Sequence, residues 1–133
     1  MARLAQARLG TAAKIRTDDM RTLITVPDAT AAAVLSLFAL HHVDTVDASR
    51  SLTTWHRALA PGGQLIVTAW EGRDAIDYGS FSDLKALRYT EHEIVDLVTV
   101  SGFSVDRSDV AQSKGWTWTQ SGWRPRGLAD TFK

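Results

Sequence analysis

The 133-residue chain contains no cysteine. Disulfides, thiolate catalysis and cysteine-built zinc or iron–sulfur sites are thereby excluded, and the composition fits a reducing, cytoplasmic setting. No charge of either sign is in excess, with 15 Lys and Arg against 15 Asp and Glu. That balance leaves no electrostatic footprint for duplex nucleic acid or an anionic membrane. No apolar run approaches the roughly 18 residues of a membrane span. Internal repeats and low-complexity linkers are also missing. What is present suits one soluble domain with one core: 44% of residues are hydrophobic and 23% charged.

The most informative stretch runs from Ala33 to Glu71. The apolar run from Ala31 to Leu40 shows no polar alternation, the pattern of a strand buried on both faces. Residues 45–60 form an amphipathic helix, with Asp44 or Asp47 as N-cap and Val46, Leu52, Trp55 and Leu59 as its buried stripe. Pro61 cannot continue the helix, and Gly62-Gly63 permits a sharp reversal into a second buried strand, Leu65–Trp70. Strand, helix and strand in this order close right-handed and belong to a parallel sheet.

Around this unit the signals are shorter. Met1 to Ile15 reads as an ordinary helix ending near Gly10 rather than a transit peptide. Ala13–Thr17 alternates as a short strand would, and Asp18-Asp19 follows it. Thr22–Thr30 is a loop. Gly72–Leu87 reads as a long loop or short helix. Thr90-Glu-His-Glu93 is a capping box opening a helix that turns Ile94, Leu97 and Val98 inward and ends at Gly102. Phe103–Asp109 reads as a strand with Gly115–Gln120 as antiparallel partner. The whole is α/β, parallel strands followed by a C-terminal antiparallel hairpin. Residues 1–122 form the domain and residues 123–133 a polar tail.

Three groups of residues carry candidate chemistry. His41 and His42 follow the apolar strand, and ligands in open α/β sheets sit beyond the carboxyl ends of strands. Either imidazole suits a general base near neutral pH, and a plain strand-end role is the alternative. Asp19 can accept hydrogen bonds from a ribose or an adenine amino group, or simply cap the turn after it. Tyr78 and Phe81 line an acceptor pocket or pack as ordinary aromatics. The spacing of His41, His42, Asp44 and His56 matches no metal motif, so no metal is assigned. Trp116, Trp118 and Trp123 with Lys114, Arg124 and Arg126 have the residue types to stack on a nucleic-acid strand. An edge hairpin explains them more simply.

Taken together, these residues resemble a class I S-adenosylmethionine-dependent methyltransferase of the small-molecule type. The resemblance rests on Phe38-Ala-Leu-His41-His42-Val43, on Trp55-His-Arg-Ala-Leu-Ala-Pro61-Gly62-Gly63-Gln-Leu-Ile-Val, and on Arg88-Tyr-Thr-Glu-His-Glu-Ile followed by Ser101-Gly102-Phe103. It implies S-adenosylmethionine as cofactor and a small molecule as methyl acceptor. It places Asp19, Met20, Ser36 and Leu37 at the cofactor, His41 and His42 at the reaction, and Tyr78 and Phe81 at the acceptor. The family's Gly-x-Gly-x-Gly cofactor loop is absent here. The resemblance therefore implies an incomplete Rossmann-like sheet that lacks its first two strands, an N-terminally truncated enzyme of impaired activity. The expected partner is a second copy or a complementing N-terminal half. The alternative is a non-catalytic interaction module.

Overall fold

The computed structural model describes residues 2–79, 85–111, 116–119 and 122–125. Its helices are α1 (Ala2–Leu9), α2 (Thr45–Ala58) and α3 (Glu91–Val100). Its strands are β1 (Ala31–Leu37), β2 (Leu59–Thr68), β3 (Ile76–Asp77), β4 (Lys85–Ala86), β5 (Trp116–Thr119) and β6 (Gly122–Pro125). They pair as a parallel β1–β2 sheet and two antiparallel pairs, β3–β4 and β5–β6. No helix among the described residues is long and apolar enough to cross a membrane.

The β1–α2–β2 unit is the centre of the fold. Asp44 starts α2 by accepting a hydrogen bond from the Asp47 amide at 2.8 Å. The buried stripe is Ala48, Ser51, Leu52, Trp55 and Ala58. Leu52 and Trp55 are where the periodicity puts them, but Val46 is 68% exposed. At 3.6 residues per turn Val46 falls on the far side of the helix from that stripe, which the small Ala48 and Ser51 complete instead. After α2 the chain turns at Leu59 into β2, and the pairing register jumps from Ala31–Leu59 to Ala33–Gln64. Gly62 at φ +76° permits that bulge.

Leu40, Ala48, Leu52 and Trp55 form the core. Val34, Leu65 and Val67 of the sheet pack on it, as do Ile94, Leu97 and Val98 of α3. The capping box of α3 is complete. The Glu93 amide donates to Thr90 Oγ1, and the Thr90 amide donates back to Glu93 Oε2 at 2.8 Å.

Four expectations are corrected. The apolar run does not stay extended to Leu40: β1 ends at Leu37, and Leu40–His42 is a 3-10 turn. Phe38 at φ +51° breaks the extended geometry. Nor is β1 buried on both faces, because Leu35 and Leu37 are 59% and 60% exposed. Ala13–Thr17 is not a strand, since a strand needs a neighbour and none of the described strands lies beside it. Instead, the segment after it docks on α2. Trp55 Nε1 donates to the Met20 carbonyl at 3.0 Å and Thr54 Oγ1 to the Arg21 carbonyl at 2.8 Å. The Arg57 guanidinium reaches the carbonyls of Thr22, Leu23 and Val26. Finally, Phe103–Asp109 is not a strand, and Trp116–Thr119 pairs with Gly122–Pro125 instead. Nearby residues form that hairpin at lower loop-closure cost than a distant partner would.

Candidate active site

The carboxyl ends of β1 and β2 converge on an aromatic cluster. The Phe38 amide donates to the Thr68 carbonyl at 3.1 Å and to Thr68 Oγ1 at 3.0 Å. These bonds hold Phe38 in a left-handed conformation that non-glycine residues seldom adopt. Its ring meets Trp70 at a centroid distance of 4.8 Å. The His41 ring lies 6.4 Å from Phe38, 6.5 Å from Trp70 and 4.1 Å from His42.

The two histidines are distinct. His41 is 2% exposed, whereas His42 is exposed to solvent. The His41 carbonyl accepts from the Leu87 amide at 2.8 Å, so the turn is tied to the segment beyond β4. His41 Nδ1 is buried without a partner among the described residues. Burial depresses the His41 pKa below its ordinary value, and the neighbouring His42 adds to the effect. The ring is therefore neutral near pH 7 and keeps a lone pair to accept a proton.

A second strand of chain closes the site. The Tyr89 amide donates to the Trp70 carbonyl at 2.9 Å, and the Tyr89 carbonyl accepts from the Gly72 amide at 3.2 Å. Tyr89 is 7% exposed, and its hydroxyl has no partner among the described residues. Burial raises its pKa, and the carboxylates of Asp44 and Glu93 raise it further. The hydroxyl is thus held protonated. A groove of about 430 Å³ adjoins this residue, lined by Thr45, Arg73, Leu87, Tyr89, Glu93 and Leu97 among others. It shares Leu87 with the histidine turn but does not include His41 or His42.

The other sequence candidates lie apart or face differently. Ser36 and Leu37 are neighbours on β1 but point to opposite faces. Ser36 is 5% exposed on the core side, with its hydroxyl unpartnered among the described residues, and Leu37 is on the open side. Asp19 and Met20 lie against α2. The Asp19 carboxylate is taken up by Arg21, whose Nη2 approaches to 2.6 Å. That bond lowers its pKa to about 2. Arg21 also reaches Asp47 at 2.8 Å. Tyr78 is half-buried just after β3, and Phe81 lies outside the described residues. Sequence reasoning overlooked Tyr89 and Trp70. Tyr89 directly precedes a legible capping box and Trp70 directly ends a legible strand, so both positions were marked. The burial of Tyr89 and the hydrogen bond between the two were not.

Residues 1–67 match the model of a methyltransferase domain. That span is just over half of the chain and contains α1, β1, the histidine turn, α2 and most of β2. The chain belongs to the methyltransferase-domain family. No curated protein matches it.

Proposed function

We propose that this domain serves methyl transfer from S-adenosylmethionine to a small-molecule acceptor, and that it contributes the acceptor-facing edge. The observation that carries the reading is His41: an imidazole in the 3-10 turn that follows a parallel strand's carboxyl end, buried, neutral and without a partner for Nδ1 among the described residues. In such a site the cofactor supplies an activated methyl group. His41 takes the proton from the acceptor's hydroxyl or amine. Phe38 and Trp70 flank it and orient the acceptor beside it. His42, exposed, serves only to keep the His41 charge unfavourable.

The described residues do not compose a cofactor cradle by themselves. Gly63 faces its own turn, because a Cβ there would lie 2.9 Å from the Ala60 carbonyl oxygen and Leu59 Cδ2. The Asp19 carboxylate is already bound by Arg21. No step is therefore assigned through the cofactor. The test is titration with S-adenosylhomocysteine followed by NMR. Shifts of the His41, Trp70 and Tyr89 resonances support the reading. If those resonances stay still at millimolar ligand while another region responds, the site is misplaced. If nothing responds and no methyl transfer is found, the non-catalytic alternative holds.

A further inference from the structure

The pairing of β1 with β2 ends at Leu37 and Thr68, although the sequence stays apolar through Leu40. The strand is stopped by Phe38, whose φ of +51° belongs to the left-handed region that favours glycine. Among the described residues Leu23 and Ala29 are the other non-glycine residues with positive φ. Leu23 packs against the core, and Ala29 has only a methyl group to place. Phe38 is large and 44% exposed, so burial offsets little of its strain.

The groups that hold this conformation sit at the end of β2. The Phe38 amide donates both to the Thr68 carbonyl and to Thr68 Oγ1. The carbonyl bond continues the pairing of the two backbones, and any residue at position 68 supplies it. The hydroxyl bond is specific to the side chain. Threonine is branched at Cβ, so few rotamers compete with the one that makes this bond. The consequence lies downstream. Ala39 has helical backbone angles and Leu40–His42 is a 3-10 turn. Leu40 and His41 are both buried there, at 0% and 2% exposure. An extended chain would send these adjacent side chains to opposite faces. The reversal at Phe38 is therefore what brings both inward, and the Leu87 amide then ties the turn down through the His41 carbonyl.

We infer that Thr68 is a positioning residue, whose hydroxyl fixes the reversal at Phe38 and thereby holds the His41 imidazole in its buried place. A second contact between the same segments supports this. Trp70, two residues beyond Thr68, meets the Phe38 ring at 4.8 Å, and the His41 ring lies 6.4 Å from one and 6.5 Å from the other. Backbone and ring of Phe38 are thus both held by the end of β2. Thr68 acts through Phe38 and takes no part in the proton transfer. What His41 does once positioned rests on the methyl-transfer reading; the positioning does not.

The test compares Thr68→Val with Thr68→Ser in the full chain. Valine keeps the shape and suits a strand, whereas serine keeps the hydroxyl. Both variants are expected to retain the parent's melting temperature. In the parent and in Thr68→Ser, the His41 ring titrates below 6.5 when followed by NMR. In Thr68→Val the turn loosens, His41 gains solvent, and its titration moves up toward 6.5. Amide exchange at Leu87 rises about tenfold in that variant alone. Adding Phe38→Gly, which takes a positive φ without strain, is expected to shrink the effect of Thr68→Val. Unchanged His41 titration and Leu87 exchange in Thr68→Val overturn the inference. So does a Thr68→Ser variant that behaves like valine, because the methyl group and not the hydroxyl then matters. A melting temperature lowered in Thr68→Val, with exchange raised throughout the chain, shows a merely structural residue and overturns it too. An effect undiminished by Phe38→Gly overturns the route through Phe38. Titration of the parent with S-adenosylhomocysteine is read separately. Silence there, with the Thr68→Val changes present, removes the methyl-transfer reading and leaves the positioning. The reverse result removes the positioning alone.

Discussion

The two faces of the β1–β2 sheet are built from similar residues and have opposite fates. Val34, Leu65 and Val67 lie under α2 and α3 in the core. Leu35, Leu37 and Ile66, their immediate neighbours in sequence, are half exposed or more. Hydrophobicity is therefore not what separates them. The finished face has a helix because the β1–α2–β2 crossover must be right-handed, which sends α2 to one side only. An apolar run says that both faces want cover. It does not say that both receive it from the same chain.

Substitutions sharpen this contrast. The largest effect belongs to Leu52→Ala. Leu52 is fully buried at the centre of the core, and its truncation is expected to cost about 2–5 kcal/mol in urea unfolding. Leu35→Ala is expected to stay within about 0.5 kcal/mol, as for an exposed position. If the two losses prove equal, the open face is covered in solution and the contrast breaks.

The next effect is local. Thr90→Ala removes the side-chain half of the α3 capping box, the hydroxyl that accepts from the Glu93 amide, and should destabilise the fold by about 1 kcal/mol. A measured loss near zero would mean that α3 contributes little to holding the finished face.

The pH dependence tests the site. His41 has a depressed pKa in the folded state, so the unfolded chain binds its proton first as pH falls. Stability from this group is complete above its ordinary pKa of 6.5 and declines as pH drops below it. A His41→Gln variant should show a flatter melting temperature between neutral and mildly acidic pH. Equal slopes in variant and parent would show that His41 is solvated. Under the proposed methyl-transfer reading, the same variant loses methyl transfer with little change in S-adenosylhomocysteine affinity.

The smallest effect is at Asp19. Its carboxylate is depressed to about 2 by Arg21, so the pair stabilises above pH 3.8, its ordinary value, and the benefit fades as pH falls toward 2. The pair is substantially exposed, and Asp19→Asn should change stability only slightly at neutral pH. A large loss would show that the Asp19–Arg21–Asp47 chain locks the docking loop onto α2.

Much of this protein was legible because its signals are local. The Asp44 cap, the α2 stripe at Leu52 and Trp55, the Pro61-Gly62-Gly63 turn and the Thr90–Glu93 box each depend on residues within a few positions of one another. The candidate site was legible in part. His41 and His42 stood at a strand's end, but only the packed structure buries one and exposes the other. Tyr89 and Trp70 meet through a backbone bond between segments 19 residues apart, which no local pattern encodes.

The sequence by itself determined the β1–α2–β2 unit, its caps and its turn, because helix and turn chemistry is short-range. Tertiary structure alone decided which apolar residues are core. It left Ala13–Thr17 without strand pairing, turned the chain at Phe38, sealed His41 and left Leu35 facing solvent. The physical reason is common to all four. A strand, a buried imidazole and a core face each exist only through a neighbour that the local sequence does not contain.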